Sequence, residues 1–524
     1  MQIDTRAIHD LFADWQREDA PGGVLGIIEH GELRYSAAFG MADLERPAPL
    51  TTDSVFDVAS VSKQFTAFCM ALLAEDKRLS LADSIHDHLP ELPAYGDVIT
   101  IRQMLHHTSG LPDYLELMDL AGLPLENDYP PARVFRLLRA HPYLNGRPGE
   151  RFLYSNTGYV LAAALVQRLT GQSLAQFAHE RIFQPLGMTQ TRFGDDFSRP
   201  ILHRAIGYAP INGQFAIAQS LMTLVGDGKL LTTLADLARW DANFSQNRLG
   251  GGQDLIRLMV EPGRLNDGTP IEYALGLQLH SYRGLSGIRH AGAWMGYKAE
   301  FMRFPEAALT IVCLANRRDA YPAERCRRVL DRLLQDRLAP LPTVPVPQDA
   351  PPAAITARLG RYLDLAGRIT WQLQWEGGRL WMVHYSWARF GLQEQSEGYF
   401  VSVIGPVTLT LRFAGDEAHV TLEGFAPAVL RFLPDWSPAN RDEYAGGYRH
   451  DALQVEHHIR RNAQSLEVVV GDARQPIPLE PIAPDIWIAP NTFYYAFERD
   501  AEGQIVAVAV SSERVRDLRF RRLP

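Results

Sequence analysis

Along roughly the first two thirds of the chain, apolar residues recur at two different spacings. Runs such as VLGIIEHGELRYSAAF from Val24 and ALTIVCLAN from Ala308 have the short, β-rich character of strands. Between them, FTAFCMALLAEDKRLS from Phe65 and ADLARWDANF from Ala235 place apolar residues on one helical face. Beyond about residue 354 the helical spacing vanishes and almost every apolar run is short and alternating. The pattern predicts an α+β front part followed by an all-β back part.

The change of pattern coincides with RLAPLPTVPVPQDAPPA at residues 337–353, where proline density stops the preceding helix and favours an extended connector. The back part repeats itself. LGRYLD at Leu359 to Asp364 returns as AGGYRH at Ala445 to His450, and VLRFLP at Val429 to Pro434 returns as DLRFRRLP at Asp517 to Pro524. Two strand-rich units of nearly equal length suggest two small antiparallel β-barrels or sandwiches. The predicted organisation is a front domain at 1–338, a proline-rich linker at 339–353, and β-barrel domains at 354–434 and 435–524.

Composition narrows the class. A chain of 524 residues with 46% hydrophobic and 22% charged side chains belongs among multidomain globular proteins. Its net charge of -9, without a basic block, argues against nucleic acid as a partner. The opening MQIDTRAIHDLFADWQRED is polar and no long apolar run follows, which predicts no membrane span and a cytoplasmic location. Cys69, Cys313 and Cys326, odd in number and set in apolar segments, read as buried free thiols.

Candidate chemistry begins at Ser60-Val61-Ser62-Lys63, just before the helical run. Residues three apart on a helix share a face, so the Lys63 amine can reach the Ser60 hydroxyl and take its proton. Alone, this spacing equally suits a helix cap followed by a surface lysine. A second element, Tyr154-Ser155-Asn156, follows the Pro148-Gly149 turn and opens another helical run. Tyr154 offers a proton donor or acceptor, and Asn156 an amide able to hold a substrate peptide group. The third element is His290-Ala291-Gly292 in a strand-like segment. Gly292 would let a substrate backbone approach the strand edge, and the amide of Ala293 could join that of Ser60 as an oxyanion hole. Metal and phosphate signatures are missing: there is no H-E-x-x-H, Gly250-Gly251-Gly252 lacks a following Lys-Ser/Thr, and no G-x-S-x-G elbow occurs. No metal and no cofactor are expected.

Together with ITIRQMLHHTSGLPDY at Ile99 to Tyr114, RIFQPLGMTQT at Arg181 to Thr191 and LLTTLADLARW at Leu230 to Trp240, these three motifs make the chain resemble the serine β-lactamase and penicillin-binding family. The resemblance is to its class C-like branch, with the D-stereospecific aminopeptidases, and covers about the first 340 residues. It implies a β-lactamase/transpeptidase-like fold, nucleophile Ser60, paired Lys63, Tyr154 in proton transfer, substrate-orienting Asn156, and His290 as the third-motif residue. His-Ala-Gly in place of the lactamases' Lys-Thr-Gly looks more like the D-aminopeptidase subgroup, where Gln278 would stand in the substrate pocket. The implied substrates are short peptides, amides or esters with a D-aminoacyl group. An esterase or lactamase-like activity, or a binding protein that keeps the fold, stays open, as does a homodimer. In the D-aminopeptidases a loop of the last barrel enters the cleft. Here the matching stretch between Pro490 and Tyr494 is very short, so the barrels are expected to leave selectivity alone.

Overall fold

The computed structural model describes residues 3–340, 347–364, 368–384, 388–405, 408–422, 427–434, 436–462, 465–471, 475–489 and 493–524. The expected connector is therefore described only in part, and residues 490–492 of the shortened barrel loop lie outside the described residues.

At the centre of the front part is a six-stranded antiparallel sheet. Its strands are β1 (Gly23–Glu29), β2 (Glu32–Phe39), β3 (Gln278–Tyr282), β4 (Leu285–Trp294), β5 (Tyr297–Phe304) and β6 (Leu309–Ala315). They lie in the order β3-β4-β5-β6-β1-β2, so the N-terminal hairpin closes onto strands nearly three hundred residues away through the β1–β6 pair. Both β1 and β6 read as continuous apolar runs because helices cover both faces of the sheet. On β6, Leu309, Ile311, Cys313 and Ala315 join the cluster holding Phe12, Trp15, Val329 and Leu330, while Val312 and Leu314 join the opposite cluster with Phe65 and Trp240. That is the two-residue period of a strand read against two cores.

One helix organises the second core. A 3-10 turn at Ala59–Ser62 runs into α1 (Lys63–Glu75), and every residue from Lys63 to Leu73 is buried. Apolar residues all round a helix mean burial on all sides. Its partners include α3 (Thr157–Thr170), which ends at Gly171 in the left-handed conformation, and α4 (Leu234–Ser245). From α4, Trp240 stacks on Phe65 at 4.4 Å and donates its indole N–H to Gln64 Oε1 at 2.6 Å. The short α2 (Tyr114–Leu120) lies between, near the last barrel; α5 (Pro322–Leu333) covers the other face of the sheet.

The back part forms two closed antiparallel barrels of eight strands each. Their internal repeat is physical. Gly360 and Gly446, opening the two barrels, both adopt positive φ, 147° and 148°. Two residues on, Tyr362 Oη donates to Arg358 O and Tyr448 Oη to Tyr444 O, both at 2.8 Å. Each tyrosine stands on a first strand that pairs with the last, and the same local bond ties its ring to the segment that enters each barrel.

Sheet and helix α1 meet where β4 crosses the 3-10 turn. A Cβ built on Gly292 would lie 2.1 Å from the Val58 carbonyl oxygen and 3.1 Å from its carbon. The backbone before Ser60 therefore occupies the space a side chain would need. We expect Gly292→Ala to lower stability by about 1–3 kcal/mol, the usual penalty for overpacking. Gly228→Ala, whose Cβ would have no neighbour closer than 3.9 Å, serves as the comparison in thermal melts.

Candidate active site

Three segments distant in sequence converge on the Lys63 side chain, which has no exposure to water. Its Nζ donates to Ser60 Oγ at 3.0 Å, to Asn156 Oδ1 at 2.8 Å and to the carbonyl of Asp227 at 2.6 Å. Three oxygens thus surround the Lys63 nitrogen. Ser60 itself is half-buried on the 3-10 turn. Before it, Ala59 holds φ 46°, rare for a residue with a side chain, and its N–H is fixed by Asp57 Oδ1 at 2.9 Å. That turn aims the Ser60 hydroxyl back at the lysine one turn on.

Asn156 stands just before α3 and is held from behind. Asp113 Oδ2 accepts from its backbone N–H at 2.7 Å and from Nδ2 at 2.9 Å. The other carboxylate oxygen, Oδ1, caps α2 by accepting from Leu115 N at 2.9 Å. Asn156 is therefore a bridge from Asp113 to Lys63, with a single Nδ2 hydrogen left for a ligand. Asp227, whose carbonyl receives Lys63, points its carboxylate at Tyr114 Oη, 3.1 Å away. Burial raises its pKa to about 6 against the opposing pull of Lys63.

Tyr154 is half-buried beside this cluster, its ring centroid 5.0 Å from Lys63 Nζ. His107 stacks on it at 4.1 Å. The His107 Nδ1 accepts from Ser155 N at 3.1 Å, its carbonyl accepts from Leu153 N at 2.7 Å, and its own φ is 57°. A strained, neutral histidine thus clasps the Tyr154 segment, and burial keeps it well below the usual imidazole range.

The facing wall is β4. Because β3 ends its pairing at Gln278–Arg289, the edge of β4 from His290 to Trp294 has no partner from β3 and borders the cleft. His290 Nδ1 lies 2.7 Å from the Ala291 carbonyl, which can only accept, so Nδ1 carries the proton. Nε2 then accepts from Tyr273 Oη at 2.9 Å. Burial and the charge of Lys63 pull His290 down to about 3. Both ring nitrogens are engaged by the protein and the ring is neutral. Gly292 lines the cleft as well, but the space on its α-carbon belongs to Val58 rather than to a ligand. Gln278, half-buried, and Ala293, exposed, complete that wall.

All eight residues singled out in sequence therefore border one cleft or its floor. It has a volume of about 1360 Å³ and extends from Ser60 along β4 to Trp381 and Arg389 of the first barrel. Both barrels thus contribute to the lining of the cleft. The second barrel enters by a different route, the turn between its strands Ile505–Ser511 and Leu518–Arg522, which brings Arg514 to the cleft with its Cζ 5.0 Å from the Tyr154 ring centroid. Sequence reasoning also missed Asp113, Asp227, His107 and Tyr273. Asp113 and His107 lay within the HHTSGLPDY stretch already noted, but nothing local ties either to Asn156 or Tyr154. Among the described residues there is no group of three or more His, Cys, Asp or Glu arranged to hold a metal, and no helix long and apolar enough to cross a membrane.

The Beta-lactamase family model matches residues 9–335. A penicillin-binding protein of Bacillus subtilis strain 168 is 29% identical over 415 residues, spanning 70% of this chain and 88% of its own. A D-aminopeptidase of Gluconobacter oxydans strain 621H is 25% identical over 530 residues, 97% of each chain. Among solved structures, the octameric penicillin-binding protein homologue from Pyrococcus abyssi superposes with a TM-score of 0.58 at 21% identity, covering 82% of this chain and all of that one. The last likeness is one of fold.

The Asp227 carboxyl carries a pH signature. With its folded pKa raised above the unfolded 3.8, it favours folding while protonated, and that contribution is lost as pH rises through about 6. Asp227→Asn keeps an acceptor for Tyr114 without the buried charge. It is expected to be more stable than the parent by roughly 1–3 kcal/mol at pH 8, with the gain shrinking towards pH 4, as read from denaturant unfolding at the two pH values.

Proposed function

The chain belongs to the Beta-lactamase family, and from that premise we propose that it is a serine hydrolase that cleaves short peptides, amides or esters carrying a D-aminoacyl group. The observation that carries the reading is the contact of the buried Lys63 Nζ with the half-buried Ser60 Oγ. A neutral lysine has two hydrogens and a lone pair. The two hydrogens satisfy Asn156 Oδ1 and the Asp227 carbonyl, and the lone pair faces the Ser60 hydroxyl. In that state Lys63 accepts the Ser60 proton as the oxygen attacks.

In this mechanism the Ser60 Oγ adds to the substrate carbonyl, and the resulting oxyanion is held by the amides of Ser60 and Ala293. Tyr154, beside the Lys63 charge, passes a proton to the leaving nitrogen or oxygen. Asn156 offers its remaining N–H to the acyl portion, and Gln278 borders the cleft on the facing wall. His290 acts as a positioning residue. Its neutral ring, held by Tyr273 and Ala291, sets the β4 edge without exchanging protons. Water then hydrolyses the acyl-enzyme by the reverse proton path. The D-aminoacyl preference is supported by the relative from Gluconobacter oxydans, named a D-aminopeptidase, which matches this chain across both barrels as well as the front part.

Ser60→Ala should fold normally and lose at least about a thousandfold in kcat/KM, since it removes the acyl acceptor. The assay is a panel of D- and L-aminoacyl p-nitroanilides, nitrophenyl esters and nitrocefin. Turnover of D-aminoacyl members at least about tenfold faster than their L counterparts supports the reading. Selective hydrolysis of nitrocefin, or equal rates for both series, overturns the D-aminoacyl assignment.

A further inference from the structure

The free edge of β4 has two sides, and the cleft opens on both. The register of β4 with β5 sets which side each residue faces. Gly292 lies opposite Ala299 and His290 opposite Phe301, and both partners belong to the core around α1. Ala293 lies opposite Lys298, Ala291 opposite Glu300 and Arg289 opposite Met302, and Met302 belongs to the core under α5. Residues paired across two strands point the same way, so Lys298 stands on the α5 side. There the cleft continues behind the exposed Ala291 and Ala293 to Tyr321 and Glu324 at the start of α5, and on to Trp381 of the first barrel.

The charges on this rear side are engaged by the protein, with one exception. Glu300 is held in a bidentate pair by Arg289 at 2.9 and 2.6 Å. Asp331 accepts from Tyr282 Oη at 3.0 Å and from Arg283 Nη1 at 2.5 Å. Glu324 faces Arg328 at 3.9 Å, and Arg389 is paired with Glu376. Arg327 lies over the Tyr282 ring at 6.0 Å and donates to the Gly405 carbonyl at 3.4 Å. Every carboxylate lining the rear thus has an arginine of its own. Lys298 is the cation left over. It is half-buried and borders the cleft, and its ammonium makes neither an ion pair nor a hydrogen bond among the described residues. Burial and the charge of Arg318 both work against that ammonium, a cost that an anion beside it would offset.

A substrate chain laid along β4 from His290 to Trp294 would extend the sheet by one strand. Its scissile carbonyl would meet Ser60 with the oxygen at the Ala293 amide, and its side chains would alternate between the two sides of the sheet. The front side holds Ser60, Lys63 and Tyr154. The open space for a group on the acyl residue's α-carbon is on the rear, where Lys298 stands directly across from Ala293. Configuration at that carbon decides which side the group takes, so one open side also selects one hand. Two strand spacings, about 9–10 Å, separate a chain on the β4 edge from β5, a gap that a lysine stem and an acidic side chain close between them.

We propose that Lys298 is a specificity-determining residue that receives a carboxylate on the side chain of the acyl residue. The inference rests on the serine hydrolase reading above. It narrows the substrate class to short peptides, amides or esters whose D-aminoacyl group is acidic, of the D-glutamyl or D-aspartyl kind.

The test uses the full chain and two substrates of nearly equal shape, D-glutamyl and D-glutaminyl p-nitroanilide, which set a carboxylate against a carboxamide. Wild-type kcat/KM is expected to favour the D-glutamyl substrate by about fivefold or more. Lys298→Met should bring that ratio close to one, and Lys298→Gln decides the matter if Lys298→Met does not fold. A smaller wild-type ratio, or a ratio that survives in the folded variant, overturns the proposal. The hydrolase reading then still stands on turnover of D-alanyl p-nitroanilide by the wild-type protein. Failure of a neutral fluorophosphonate to label Ser60 removes the hydrolase reading, and this inference with it.

Discussion

An amino group withdrawn from water must find its hydrogen-bond partners within the protein. Lys63 meets that requirement with partners from three places: the turn before its own helix, the start of α3, and the loop at Asp227. The fold around it is largely the apparatus that brings those partners together. Helix α1 is buried on every side, so Lys63 has no route to solvent. Strand β4 presses on Val58 through Gly292 and fixes the turn that carries Ser60. Asp113 holds Asn156 from behind, so that its carbonyl oxygen, rather than its amide nitrogen, faces the lysine.

Asp113 links this cluster to the far end of the chain. One carboxylate oxygen serves Asn156, the other caps α2, and its backbone N–H donates to Arg514 of the last barrel. A helix of seven residues has little stability of its own and depends on such tertiary contacts. The second barrel is thus part of the architecture of the site as well as an appended domain. The first barrel contributes the distant wall of the same cleft through Trp381 and Arg389, whose guanidinium stacks on the indole at 4.3 Å.

The histidines show how environment overrides residue type. His290 occupies the place where a cation stands in many related motifs, yet burial and Lys63 hold it neutral, and Tyr273 takes its second nitrogen. His107, the second of an adjacent pair, carries positive φ and supports Tyr154 from one side. Neither role can be read from the imidazole itself, because both depend on which carbonyls and hydroxyls the fold places alongside.

By itself the sequence determined whatever is written in local spacing. The two-residue and helical periods marked the sheet strands and α1, the repeated openings at Leu359 and Ala445 announced two strand-rich units of nearly equal length, and the Ser60–Lys63 interval put the hydroxyl and amine on one turn. Asn156 and Tyr154 were legible as one short motif beside a helix start. Only the tertiary structure decided what Lys63 leans on, which way Asn156 faces, why residue 292 must be glycine, and which barrel turn enters the cleft. Those are contacts between segments tens to hundreds of residues apart, where neither partner has a distinctive neighbourhood in the chain. The turn around Arg514 reads as an ordinary polar connection between two strands. Its meaning comes from the docking that sets the Arg514 side chain beside Tyr154.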